Sequence, residues 1–179
     1  MNLMNTLINL FKIYLGFFVE NTFFSTLIYG LIFNCPILIY FSLSSYLNIL
    51  LWVYLKKIIN FNFLKLTSLR PSTELIIDSK IATVIYKFSK FGMPSLHSIY
   101  TGYTIAFWYL YIKNFKMKSN IHYLLLLFII VTGSRIYFNV HTFGQVIIGS
   151  LIGILSGYLS FYLYIFYLKL KLLFLITYN

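Results

Sequence analysis

Apolar stretches of the length needed to cross a lipid bilayer recur along most of this 179-residue chain. A spanning helix needs about 20 mostly apolar residues, and five stretches approach that length. We predict spans over residues 23–41, 46–59, 95–112, 121–138 and 145–168. The first is expected to be kinked or broken near Pro36. A polar break at Ser42, Ser44 and Ser45 is expected to separate it from the second, and residues 7–19 are a possible sixth span.

The composition supports a membrane protein. Charged residues make up 9% of the chain and hydrophobic residues 60%, whereas a soluble domain is about 25% charged. The net charge of +11 raises nucleic acid as a partner. However, lysines flank the apolar stretches, where their side chains reach the membrane interface. We therefore predict an all-α, polytopic transmembrane helical bundle, a single domain over residues 1–179, with the bilayer as partner and no nucleic acid.

The order of the predicted spans brings distant parts of the chain to one side of the membrane. The only long polar segment, residues 60–92, joins the second and third spans. We call the side of the membrane that holds this segment the loop side. Because spans alternate in direction, the third span begins on the loop side, the fourth ends there and the fifth begins there. The three segments are therefore expected to meet.

Chemically active side chains are concentrated in these segments. Both arginines and two of the three histidines of the chain lie there. They are Arg70, His97, Arg135 and His141. Ionisable groups near a membrane are costly and are therefore candidates for function, and the arginine fork suits phosphate oxygens. A helix that starts near Ser95 would add backbone N–H groups for an anion. Each feature alone has an ordinary structural interpretation, but together they predict a phosphate pocket.

Three short motifs follow one another along the chain. They are Arg70-Pro71, then Pro94-Ser95-Leu96-His97, then Ser134-Arg135 followed by His141 and Gln145. Their order and spacing resemble the signature of the type 2 phosphatidic acid phosphatase superfamily, over about residues 56–157. The Gly-Met-Pro-Ser-x-His pattern at 92–97 and the His-Thr-x-x-Gln-Val pattern at 141–146 look like the dolichyl diphosphate phosphatase branch. That branch acts at the lumenal face of the endoplasmic reticulum membrane, so the same location is implied here.

The resemblance also implies a mechanism. His141 would attack phosphorus and form a phosphohistidine, while Gln145 holds its other ring nitrogen. His97 would protonate the leaving oxygen and later deprotonate water. The implied phosphate ligands are Lys56, Arg70, Ser95 and Arg135. No metal ion and no cofactor are implied, and the substrate would be a lipid phosphate, most similar to dolichyl diphosphate.

Three positions depart from the superfamily pattern. Leu96 stands where Gly or Ser is usual, and its larger side chain is expected to narrow the pocket. Gln145 stands where Asp is usual, as in the dolichyl branch; it can accept a ring N–H of histidine but brings no charge. Phe63 stands where a lysine is expected, seven residues before Arg70. Candidates for the role of that lysine are Lys56, which we favour, Lys57 and Lys65.

Other interpretations stay open at this point. They include a broader phosphatase for phosphatidic acid or undecaprenyl diphosphate, a phosphotransferase, and a scaffold that keeps the fold without turnover. A haem held by His97 and His141 would leave both arginines unexplained. A metal site is not predicted, because Glu74 and Asp78 lack ligand spacing with the histidines. Membrane orientation is also open, because lysines lie on both sides.

Overall fold

The structure, a computed structural model, describes residues 14–15, 17–62 and 92–177. Within these ranges the regular elements are helices, and no strand occurs. The five long helices are α1 (Phe18–Ile32), α2 (Pro36–Asn62), α3 (Leu96–Asn114), α4 (His122–Tyr137) and α5 (Phe143–Thr177). The predicted all-α class is confirmed. Most of the predicted long loop, with Arg70 and Lys65, lies outside the described residues, as does most of the possible sixth span.

The turn between the first two helices does not lie where the serines predict it. The chain turns at Phe33–Cys35, where Asn34 has a φ of 46°, and Pro36 begins α2, a position that suits its missing N–H. The predicted break at Ser42, Ser44 and Ser45 is wrong, because α2 runs through it. The Ser42 and Ser44 hydroxyls donate to carbonyls four residues back, at 2.8 and 2.6 Å, and are thereby satisfied within the helix.

A stripe of glycines brings α5 against α3. The stripe consists of Gly149, Gly153 and Gly157, which lie against the backbone of Ser95, Ile99 and Tyr103 in turn. A Cβ atom at Gly149 would lie 2.7 Å from the Ser95 carbonyl oxygen, so no side chain fits there. Small residues allow membrane helices to approach this closely. The contact sets the register of the two helices, with both N-termini at the loop side.

Two apolar clusters fill the interior. The loop-side cluster lies beneath the N-terminus of α3. It consists of Leu15, Phe18, Val19, Ile49, Ile99, Tyr100 and Val131. The second cluster fills the opposite half of the bundle and is mainly aromatic. It consists of Ile37, Phe41, Tyr103, Phe107, Leu110, Phe161 and Tyr164. Beside it, the Tyr103 hydroxyl donates to Ser160 Oγ at 2.6 Å, which links α3 to α5.

Among the described residues, two helices are long and apolar enough to cross a membrane, which suggests a membrane protein. They are Pro36–Lys56, within α2, and Phe143–Thr177, which is α5. The apolar helices α1 and α4 have only 15 and 16 residues. The predicted count of five spans is therefore not confirmed. Large apolar side chains are nevertheless exposed on all five helices, among them Phe24, Leu47, Tyr109, Ile129 and Leu155. Such a surface is typical of contact with lipid or another apolar partner.

Candidate active site

The ends of four helices meet at the loop side. The Ser95 N–H, just before α3, donates to the carbonyl of Gln145 in the first turn of α5, at 3.2 Å. Lys56, in the last two turns of α2, is buried and its Nζ donates to the Pro94 carbonyl at 3.4 Å. The C-terminus of α4 joins the same region through its short connection to α5. Segments far apart in the chain therefore form one site.

The connection from α4 to α5 sets the position of His141. The Arg135 carbonyl accepts hydrogen bonds from the N–H groups of both Val140 and His141, each at 3.1 Å. Asn139 turns the chain with a φ of 56°, a conformation that Asn tolerates better than most residues. The chain from Arg135 to His141 therefore spans the end of α4 and a turn that folds back onto the last turn of that helix. It keeps the arginine and the histidine beside each other.

Gln145 joins the start of α5 to the histidine ring. Its N–H donates to Thr142 Oγ1 at 3.3 Å, while its Oε1 accepts from the Thr142 N–H at 3.2 Å. These reciprocal bonds form a capping box, which stabilises a helix N-terminus. The same Oε1 lies 3.1 Å from Nδ1 of His141. Both His141 and Gln145 are buried.

These contacts assign the proton on the His141 ring. The Thr142 N–H can only donate, so the atom of Gln145 that faces it must be the amide oxygen. That oxygen accepts hydrogen bonds and cannot donate them. Nδ1 of His141 must therefore carry the hydrogen, and in the neutral ring Nε2 then holds the lone pair. A histidine in this state has its Nε2 set up as a nucleophile.

Arg135 is buried and held by the protein backbone. Its guanidinium donates to the Leu15 carbonyl at 2.6 Å and to Ser134 Oγ at 3.3 Å. The segment just before α1 is therefore part of the site, which the sequence motifs do not indicate. A backbone carbonyl acts through its position and leaves no signature in residue type. Leu15 itself is buried in the loop-side cluster.

Ser95 and His97 occupy the N-terminus of α3. Ser95 is the N-cap, and its hydroxyl accepts from the Ser98 N–H at 3.5 Å. The Ser95 N–H itself donates to the Gln145 carbonyl, and the role of this helix N-terminus in binding phosphate stays a prediction. His97 lies in the first turn and is half-buried. The first N–H groups of a helix have no partners within the helix, and its dipole favours an anion there.

Residues 37–168 match the PAP2 superfamily, a range that extends from the second residue of α2 into α5. The chain belongs to the PAP2 superfamily. Members of this superfamily are phosphatases, and a lipid phosphatase is the function that membership suggests. No curated protein and no solved structure matches the chain. The match begins after α1, so the Leu15 contact with Arg135 lies outside the part of the chain that the family describes.

The structure brings together most of the predicted site residues of this PAP2 chain. Lys56, Ser95, His97, Arg135, His141 and Gln145 lie at the loop-side end of the bundle. Arg70 lies outside the described residues, as do Lys65 and the side chain of Lys57.

Leu96 packs against the loop-side cluster. The expectation that it narrows the pocket therefore receives no support, because this contact directs it to the protein core.

The described part of the site carries positive charge. Lys56 and Arg135 are both buried there, and no acidic side chain within the described ranges is buried with them. Two cationic side chains at one end of the bundle favour the binding of an anion there. Among the described residues, no group of three or more His, Cys, Asp or Glu side chains could hold a metal ion. The arrangement can accommodate an anion such as a phosphate group beside the His141 ring.

Proposed function

We propose that this PAP2 protein is an integral membrane phosphatase that hydrolyses a polyprenyl diphosphate, dolichyl diphosphate in particular, to the monophosphate and inorganic phosphate. The observation that carries the proposal is the pairing of His141 Nδ1 with Gln145 Oε1 at 3.1 Å. It leaves the lone pair on Nε2, in a site that contains two buried cations.

In the proposed reaction, His141 acts as a covalent nucleophile. Its Nε2 forms a bond to the terminal phosphorus as the bond from phosphorus to the bridging oxygen breaks. His97 donates a proton to that oxygen, and the lipid monophosphate leaves. His97 then takes a proton from water, whose oxygen attacks the phosphohistidine and releases inorganic phosphate. His141 returns to its starting state, with Gln145 holding Nδ1–H throughout.

The cationic side chains stabilise the transferred phosphoryl group. Charge spreads over its three equatorial oxygens in the transition state, and positioned donors lower the barrier. We assign this role to Arg135 and Lys56, which are buried at the site, and to Arg70 by its match to the superfamily motif. Ser95 contributes by starting the helix whose N-terminus faces the phosphate. With these groups in place, the mechanism uses no metal ion and no cofactor.

The membrane placement is part of the proposal. We place all five helices in the bilayer, because each exposes large apolar side chains. Helices shorter than the bilayer core are accommodated by local thinning and by polar residues that reach the interface. The motifs at 92–97 and 141–146 favour the dolichyl branch, and with it an endoplasmic reticulum membrane and a lumenal site. The substrate then lies in the leaflet on the loop side, with its phosphates at the helix ends.

The test is phosphate release by the detergent-purified protein. We expect release of inorganic phosphate from dolichyl diphosphate in excess EDTA, and its loss in His141→Ala. His122→Ala is the matched control, because His122 is exposed and begins α4, about 20 Å along that helix from Arg135. If the protein prefers phosphatidic acid as a substrate, it is a broader lipid phosphate phosphatase and not a dolichyl diphosphate phosphatase. A strict requirement for Mg²⁺, or full activity in His141→Ala, would refute the mechanism.

A further inference from the structure

The amide of Gln145 has little freedom to move. Its oxygen accepts from the Thr142 N–H at 3.2 Å and lies 3.1 Å from His141 Nδ1, so a small rotation weakens both contacts. The side chain is 1% exposed, and the protein surrounds it. The atoms that pack against the amide therefore decide whether it can stay in place.

Gly92 packs directly against this amide. A Cβ atom at residue 92 would lie 2.9 Å from Cδ and 3.0 Å from Nε2 of Gln145, and closer still to Oε1. Real Cβ atoms almost never approach other atoms below 3.0 Å. The backbone does not require glycine at this position, because no glycine within the described ranges has a positive φ. The contact with Gln145 is thus the feature of Gly92 that a side chain would disturb.

We propose that Gly92 is a positioning residue for the nucleophile: the space left by its missing side chain seats the Gln145 amide against His141. An alanine at this position would displace the end of the flexible Gln145 side chain, while the backbone stays in place. The amide would then leave Nδ1, and the ring would lose the partner that fixes its tautomer and orientation. The proposal rests on the proposed function, since it concerns the same histidine.

Gly144 offers a matched control. It lies one residue before Gln145 in the first turn of α5, and a Cβ atom there would meet nothing within 4 Å. Gly92→Ala and Gly144→Ala therefore make the same chemical change near the same amide, with and without the clash. We expect Gly92→Ala to lower kcat by about 10–100-fold, the scale of a misplaced reacting group, with little change in KM. Gly144→Ala is expected to keep the wild-type kcat.

A double-mutant cycle separates this role from a general effect on folding. If Gly92 acts through Gln145, then Gly92→Ala should cost nothing further in a Gln145→Ala background, because the clashing amide is gone. If Gly92→Ala alone fails to fold, the double variant with Gln145→Ala should fold, because it no longer contains the amide that clashes with the added Cβ. An equal loss of kcat in both backgrounds, or a double variant that stays unfolded, would overturn the proposal.

A spectroscopic measurement tests the proposal even if the protein has another substrate. With ¹⁵N-labelled histidine, the three histidines of the chain can be assigned by single substitutions. We expect His141 to show a protonated Nδ1 in the wild type and in Gly144→Ala, and a mixture of tautomers in Gly92→Ala. An unchanged His141 spectrum in Gly92→Ala would refute the positioning role. A changed spectrum in a protein without phosphatase activity would refute only the proposed function.

Discussion

Replacement of Gly153 by alanine should separate the two central helices. A Cβ atom there would lie 2.8 Å from the carbonyl carbon and 2.9 Å from Cα of Ile99, and closer to its oxygen, whereas ordinary contact begins at 3.4 Å. The opposing atoms are backbone, so no side chain can rotate away. Because the oxygen is the closest atom, the helices must part by roughly 1 Å, and overpacking of this kind costs about 1–3 kcal/mol.

Gly133→Ala is the control for this variant. An added Cβ there meets nothing within 4 Å, so the substitution changes only helix propensity, which favours alanine over glycine. The difference between the two variants therefore isolates the cost of packing. Since 1 kcal/mol shifts Tm by roughly 2–4 °C at this chain length, Gly153→Ala should unfold at least about 2 °C, and up to about 12 °C, below Gly133→Ala. Equal Tm values in the same detergent would refute the close approach of α3 and α5.

Three further substitutions test other contacts. Arg135→Lys keeps the charge but loses the planar fork, and should lower kcat/KM for the lipid diphosphate by about 10–100-fold. Lys56→Met removes the donor to the Pro94 carbonyl and a buried positive charge, and should lower kcat/KM by a similar factor, measured by phosphate release. Tyr103→Phe removes a hydroxyl that donates to Ser160 Oγ at 2.6 Å and lies 2.7 Å from Ser44 Oγ. It should lower the free energy of unfolding by about 1–3 kcal/mol, seen as a lower Tm at unchanged kcat.

Each of these has its own contradicting result. If Arg135→Lys had the kcat/KM of the wild type, the planar arrangement of the guanidinium donors would not be required for activity. Lys113→Met is the control for Lys56→Met, since Lys113 lies in the last turn of α3, far from the site; equal losses in the two would assign the effect to charge at the membrane surface. A Tyr103→Phe variant as stable as the wild type would mean that the hydroxyl contributes no net stability.

The sequence predicts most of the helices, because apolar runs and polar interruptions mark them well. The predicted stretch at 121–138 lies within one residue of α4 at each end. The predicted break near Pro36 is confirmed, whereas the break predicted at Ser42, Ser44 and Ser45 is wrong, because serines look like a polar interruption. A serine can also satisfy its hydroxyl within a helix, and residue type alone does not distinguish the two cases. Pro36, which begins α2, marks the turn, because proline suits the first position of a helix.

The site was predictable where chemistry requires a residue type at a fixed spacing. Arg135 and His141 belong to this class, because the chain between them folds back onto the last turn of α4 and keeps the two residues beside each other. The contributions of Leu15 and Gly92 were not predictable, since one acts through a backbone carbonyl and the other through the space it leaves. Both depend on which segments meet in three dimensions.

The most direct test of the central claim is to trap the phosphoenzyme. The purified protein would be mixed rapidly with substrate labelled in its terminal phosphate and quenched in alkali, and the modified residue would be located by mass spectrometry. The account predicts label on His141, at Nε2, and none in the His141→Ala variant. Label on His97 instead, or turnover without any labelled histidine, would contradict it.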